Sequence, residues 1–282
     1  IFRSRNASLL PKIICMNFQL QEETKLAIKA VMEGERICNL SYSPEIINVK
    51  ESLRDVSTVV DIEIEQAILS ILSQSNHPIL AEETSDLSST SFDKKEPFWV
   101  VDPIDGTVNF INGIEIFAIS VGLCRDDEFL VGAVALPRLK KLYCNLGSDR
   151  AFLNGRSLKH NHRRLDEALV AVSFSGKKEN EDHRIKEFEL FGRINDLSRG
   201  CNRFGSAAAN ICFTASGQLQ AAYGFNAKLW DVAGAFSIAI AAGCRISIQL
   251  SEEPNTISYI VGSDEVVSAI HEIGFEQGLF LV

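Results

Sequence analysis

The sequence predicts a layered α/β (α+β) protein. Apolar residues recur at helical spacing in the first quarter of the chain, and short apolar runs bounded by turn residues follow. Two of those runs flank the charged tetrapeptide Arg125-Asp-Asp-Glu128, as the arms of a hairpin would. Helices and mixed strands in one chain call for stacked layers around shared cores. With 282 residues, 46% of them apolar and 23% charged, there is material for one large or two modest cores.

The first helix is expected from Phe18 to about Leu40, where Leu20, Ala27, Val31 and Cys38 recur at intervals of three, four and seven. A second runs from Ser57 to Ser73, with Val60, Ile64, Ala67, Ile68 and Ile71 turned inward. His77 to Ala81 reads as a short strand ending at Glu82-Glu83, and Leu87 to Glu96, rich in Ser and Lys, as a loop. Phe98 to Val101 is a buried strand. Phe117 to Leu123 and Phe129 to Leu136 form the hairpin, and Leu142 to Asn145 and Ala151 to Phe152 extend its sheet. Ser175 to Asp182 is a charged loop. Beyond it come a strand from Leu219 to Tyr223 and a small-residue helix from Leu229 through Ala242, closed by Gly243. Strands Ile246 to Leu250 and Ile257 to Gly262 and a helix from Ser263 complete the chain. The expected division is 16–160 as an N-terminal half and 161–282 as a C-terminal half. Residues 1–15 hold Arg3, Arg5 and Lys12 and no acid, and precede the first methionine, Met16; they read as a tag, an upstream piece or a targeting remnant.

The net charge of −9 argues against nucleic acid or an anionic membrane as partner. A phosphorylated small molecule stays open, because bound cations reverse the local field. Seven scattered cysteines without a C-x-x-C point to reduced core thiols and a cytoplasmic setting. No apolar stretch is long enough for a membrane span.

The stretch Trp99-Val-Val-Asp-Pro-Ile-Asp-Gly-Thr107 carries the chemistry. A strand delivers Asp102 and Asp105 at its end, Pro103 fixes the backbone between them, and Gly106 allows close approach. Two aspartates on one rigid turn supply the oxygens that a hard divalent cation takes. The Gly106 and Thr107 amides and the Thr107 hydroxyl are donors that suit a phosphate. An Asp-Pro turn capping a helix is the other reading. In Leu229-Trp-Asp-Val-Ala-Gly-Ala235, Asp231 falls in the first turn of a helix, where it could simply complement the dipole. The adjacent Trp230 and the Ala/Gly-rich wall go beyond that need and allow tight helix packing.

Together the two segments resemble the paired signatures of the inositol monophosphatase family of magnesium-dependent, lithium-sensitive phosphomonoesterases. The resemblance implies a layered α-β-α-β-α sandwich of the sugar-phosphatase type and a homodimer. It adds Glu82, in Ala81-Glu82-Glu83-Thr84, as a third carboxylate, Ala81 replacing the family's usual glycine. Lys50 and Asp61 match positions near the family's third metal site, although Asp61 is equally placed as the capping-box acid of a helix capped by Thr58. The implied ligands of two or three Mg²⁺ are Glu82, Asp102, Asp105, Asp231 and the Ile104 carbonyl. Glu82 and Thr107 would orient and deprotonate the attacking water, and the Gly106 and Thr107 amides would bind phosphate. Several carboxylates in one cleft repel each other unless cations neutralise them.

Gly205-Ser206-Ala207-Ala208 resembles the family segment that lines the substrate pocket. Inositol-handling members carry a glutamate six residues before the Trp of W-D, where this chain has Gly224, which weakens the case for inositol phosphate. Asn226 could substitute for it. Lys228, Arg203 and Arg199 could instead hold the second anion of a bisphosphate such as adenosine 3′,5′-bisphosphate or fructose 1,6-bisphosphate, or could be plain surface charges. A non-catalytic binding protein that keeps the fold is the alternative from another class. His160 and His162, in a basic loop, are expected to face solvent.

Overall fold

The computed structural model describes residues 22–40, 46–49, 56–84, 94–175 and 181–280, the backbone alone for 46–49. Lys50, residues 1–15, Leu20 and most of the Leu87 to Glu96 loop lie outside the described residues. In chain order the elements are α1 (Glu22–Leu40), β1 (Ile46–Val49), β2 (Val56–Thr58), α2 (Val59–Leu72), β3 (Ile79–Ala81), β4 (Phe98–Asp105), α3 (Thr107–Ile111), β5 (Ala118–Arg125), β6 (Glu128–Leu136), β7 (Lys141–Asn145), β8 (Ala151–Leu153) and β9 (Arg156–Leu158). They continue with β10 (Leu169–Ser173), α4 (Glu181–Leu197), β11 (Gly200–Asn202), α5 (Ala207–Ala215), β12 (Ala221–Lys228), α6 (Leu229–Ala241), β13 (Arg245–Leu250), β14 (Thr256–Gly262) and α7 (Asp264–Glu276).

Five layers result. A seven-stranded sheet runs β3-β4-β5-β6-β7-β8-β9, antiparallel throughout except that β3 lies parallel to β4. A five-stranded sheet runs β11-β10-β12-β14-β13, with β10 parallel to both its neighbours. Helices α1 and α2 cover the outer face of the large sheet, burying Ile28, Val31, Ile64 and Ile68 against Val101, Ile119 and Val121. Helices α5 and α6 lie between the sheets, and α4 and α7 cover the far face of the small one. This is the expected α-β-α-β-α sandwich. The alternation along β6 explains it: Ala133 and Ala135 join the outer core, whereas Val134 and Leu136 join the middle one.

Tight packing of α6 depends on missing side chains. A Cβ at Gly122 would stand 2.8 Å from the Gly234 nitrogen, and one at Gly132 would overlap the Gly234 carbonyl oxygen. The Ser237 hydroxyl donates to the Val131 carbonyl at 3.0 Å and pins the helix to β6.

Several elements depart from the sequence expectation. Strand β4 does not stop at Val101 but continues through Asp105, with a register irregularity between Asp102 and Asp105 in its pairing with β5. Ser57 and Thr58 belong to β2, and α2 starts at Val59, two residues later than expected, with Thr58 as its N-cap. Strand β12 lies further along the chain than Leu219 to Tyr223. Helix α4 went unpredicted because only Glu187, Leu190 and Ile194 of its 17 residues are buried, too sparse an apolar stripe to show a period. Helix α5 is buried at every position and so shows no stripe either. His160 contradicts its expected exposure. It is buried, its Nδ1 is 2.7 Å from the Thr214 carbonyl, and burial lowers its pKa. His162 is exposed as expected. The six cysteines among the described residues are unbonded, and all but Cys201 are buried.

Candidate active site

Strand registers bring the acids together. Because Ala81 pairs with Val101 across the parallel β3 and β4, the next residues, Glu82 and Asp102, emerge side by side, and the Glu82 amide donates to the Val101 carbonyl at 3.2 Å. Three residues on, Asp105 ends β4, and Gly106 follows with φ of +97°, a left-handed conformation that disfavours any other residue. Gly106 also lets another segment approach closely, since a Cβ there would be 3.0 Å from the Gly205 carbonyl oxygen. Ser206 and the start of α5 thus close on Asp105: its Oδ2 accepts from the Ser206 hydroxyl at 2.5 Å and from the Ala208 amide at 2.6 Å. Asn109 secures the approach by donating at 2.6 Å to the carbonyls of both Ile116 and Phe204.

Asp231 arrives from α6. Trp230 is buried among Leu80, Phe98, Val100 and Cys124, so its ring wedges the start of α6 against β3 and β4. Asp231 accepts from the Lys228 amide at 3.0 Å, which answers the dipole reading, yet it also faces the other acids. Burial pushes the Asp231 carboxyl well above the usual carboxylate range, and the charges of Asp105 and Glu82 add to the effect. Asp102 is raised likewise by burial and then by Glu82, Asp105 and Asp231, and its Oδ1 is buried with no hydrogen-bond partner. Asp105 is raised to about 6 by burial despite its donors at α5. Among the described residues no three acids, histidines or cysteines stand close enough to cage an ion. Asp102 and Asp231 sense the charges of Glu82 and Asp105 across one cleft, and that repulsion adds to the effect of burial, with Lys228 offsetting part of it at Asp231.

Asp61 satisfies both of its readings. It forms a capping box with Thr58 and, from its other oxygen, accepts from the Thr107 hydroxyl at 3.2 Å. Burial raises its carboxyl to about 6, partly offset by the Thr58 donors. The same Thr107 hydroxyl lies 2.9 Å from the Ile104 carbonyl, so its single hydrogen is shared between the two acceptors.

The substrate-side residues are arranged differently. Ser206 caps α5 and binds Asp105, and Ala207 is buried behind it. Asn226 sits exposed on a bulge of β12 with φ of +50°. Lys228 Nζ reaches Glu253 at 3.2 Å and Thr256 at 3.0 Å, and Arg199 and Arg203 are exposed, so nothing gathers these cations around a second anion. A Cβ on Gly224 would meet Tyr259 Cε1 at 2.6 Å. Tyr259 pairs with Gly224 across the strands, and its ring fills that volume. Gly224→Ala should therefore lower stability by about 1–3 kcal/mol, and adding Tyr259→Ala should relieve the clash. Denaturant midpoints of the two variants test this, and a neutral Gly224→Ala would refute it.

Sequence reasoning passed over Asn109, Tyr259 and the Ala208 amide. Each acts through tertiary contacts; Asn109 and Tyr259 lie outside the sequence motifs, and Ala208, within the Gly205 segment, was not given its role at Asp105.

Comparisons with known proteins fit this arrangement. Mycobacterium tuberculosis SuhB aligns with a TM-score of 0.72 and 26% identity, covering 92% of this chain and 96% of that one. The fold is that of a phosphomonoesterase. The inositol-1-monophosphatase of Mycobacterium bovis is 35% identical over 207 residues, 71% of each chain, and inositol monophosphatase 2 of Solanum lycopersicum is 34% identical over 233 residues, 79% of this chain and 86% of that one. The chain belongs to the inositol monophosphatase family, whose profile matches residues 16–271.

Proposed function

We propose that the chain hydrolyses a small phosphorylated metabolite, of the inositol monophosphate kind, with two or three Mg²⁺ held by Glu82, Asp102, Asp105, Asp231 and the Ile104 carbonyl. The observation that carries this reading is the set of four carboxylates from β3, β4 and α6 sharing one cleft, with Asp102 Oδ1 buried and unpartnered. Oxygen donors of this kind suit a hard cation, and a buried acid without a partner is otherwise destabilising. Bound Mg²⁺ would acidify the attacking water and stabilise the leaving oxygen, as phosphate monoesters require.

The chain's own residues do the rest. Glu82 and Thr107 would orient the water; Glu82 would take its proton, or Thr107 would take it while passing its own to Asp61, the acceptor of its hydroxyl. Asp61 accepts from the Thr107 hydroxyl and so fixes its rotamer. The Gly106 and Thr107 amides, at the start of α3, would bind phosphate oxygens. Ser206 and the α5 amides keep Asp105 ionised and aimed. Lys50 carries its family role from sequence alone. Because the Tyr259 ring occupies the place of an acid at position 224, the leaving group meets no carboxylate there. Discrimination between inositol 1-phosphate and glycerol 2-phosphate should accordingly stay within about tenfold, the size expected without a paired polar contact. A homodimer in a reducing compartment completes the proposal.

The test is phosphate release from a panel of monoesters and bisphosphates. Release should need Mg²⁺ and stop with EDTA or lithium. Turnover that persists in EDTA would overturn the metal-dependent reading, and a strong preference for bisphosphates would overturn the monoester one.

A further inference from the structure

We infer that Glu65 is a positioning residue: its buried carboxylate fixes the Glu82-Glu83-Thr84 turn and thereby sets how tightly the cleft takes up Mg²⁺. The inference rests on the proposed ligand role of Glu82.

Glu65 lies one helical turn after Asp61, on the same face of α2, and both acids are fully buried beside Ile64 and Ile68. Packing would be served better by an apolar side chain, since a buried carboxylate is unfavourable unless donors hold it. The donors come from one place. Glu65 Oε2 accepts from the Glu83 amide at 2.8 Å, and Thr84 favours its ionised form against the upward push of burial, while Oε1 is buried with no hydrogen-bond partner. On the other side the Glu82 amide is tied to Val101 at 3.2 Å. The backbone around Glu82 is thus gripped by β4 before it and by α2 after it.

The same grip separates the two glutamates. The Ser57 hydroxyl donates to Glu83 Oε2 at 2.8 Å, and Glu83 is the charge that Asp61 and Glu65 sense. Glu82 is the charge that Asp102 and Asp231 sense. Glu65 therefore acts on the cleft through the turn, and it leaves Glu82 facing the aspartates. A partner that holds a metal ligand in place is commonly worth 10- to 100-fold in metal affinity.

Glu65→Met fills the volume without an acceptor, and Glu65→Gln restores one. Calorimetric titration of the substrate-free protein with Mg²⁺ should show the Met variant binding about tenfold or more weakly and the Gln variant within about threefold of wild type. Glu187→Ala removes another fully buried acid, one that holds Ser175 at 2.6 Å, and should leave Mg²⁺ binding unchanged. Wild-type affinity in Glu65→Met, equal losses in the Met and Gln variants, or an equal loss in Glu187→Ala would each overturn the inference. Glu82→Gln separates the two claims. If it binds Mg²⁺ normally, the ligand reading fails; if it binds weakly while Glu65→Met does not, only the role of Glu65 fails.

Discussion

Asp102→Asn should abolish turnover, by about 10³-fold or more, or on the order of 4 kcal/mol of transition-state stabilisation, while leaving the metal-free protein at least as stable as wild type. Loss of function with a gain in stability is unusual and follows from the site. Asp102 is fully buried, faces three other acids and has one oxygen without a partner. Asn keeps the shape and removes the charge. The direction with pH follows from linkage. A carboxyl whose pKa is raised in the folded state contributes stability below its unfolded value, and that contribution is lost as pH rises through the folded value. For Asp61 and Asp105 the window opens near the ordinary 3.8 and extends to about 6, and for Asp102 and Asp231 it extends higher. Metal-free wild type should therefore melt at progressively lower temperature as pH rises from about 4 through 6 and beyond. Mg²⁺ should reverse the loss, and Asp102→Asn should flatten it. Thermal melts from pH 4 to 8, with and without Mg²⁺, read all three effects. Near-normal turnover in the variant would remove Asp102 from the mechanism, and a lower melting temperature without metal would remove the electrostatic argument.

What could be read from sequence follows local physics. Helix α6 and the edges of β13 and β14 were legible because Gly243, Gly262 and the small-residue run are punctuation that acts locally. The capping box of Thr58 and Asp61 was legible for the same reason. The second task of Asp61, accepting from Thr107, was not legible, since 46 residues separate the two and the family match placed Asp61 only near a third metal site. Position 224 shows the limit in the other direction. The missing glutamate could be read directly, but Tyr259, which makes the absence irreversible by a single change, lies on a strand whose pairing with β12 no local pattern announces. Lys228 was offered to a substrate because a lysine beside W-D looks free in a linear text. In the fold, Glu253 and Thr256 face it across the sheet.

Gly132→Ala should prevent folded protein from accumulating, or destabilise it by more than about 4 kcal/mol, in the range reserved for severe core strain. The added methyl would point from β6 into the Gly234 carbonyl oxygen of α6 and would also meet Ser237 Cβ at 3.1 Å. Neither neighbour is a flexible side-chain end, so relief requires the helix to lift from the sheet. That movement is opposed on both flanks. Gly122 already brings β5 against the Gly234 nitrogen, and the Trp230 ring is locked among Leu80, Phe98 and Val100. Any molecules that do fold must displace α6, and Asp231 rides on its first turn. The surviving fraction should consequently need more Mg²⁺ for half-maximal phosphate release than wild type. Gly192→Ala on α4 is the matched comparison. Nothing lies within 4 Å of its Cβ, and the helix interior favours alanine, so it should gain about 0.5–1 kcal/mol. Soluble yield and thermal melts of the two variants, made side by side, would decide the matter. A Gly132→Ala protein that melts with wild type would mean that α6 does not depend on this contact to hold Asp231 at the cleft.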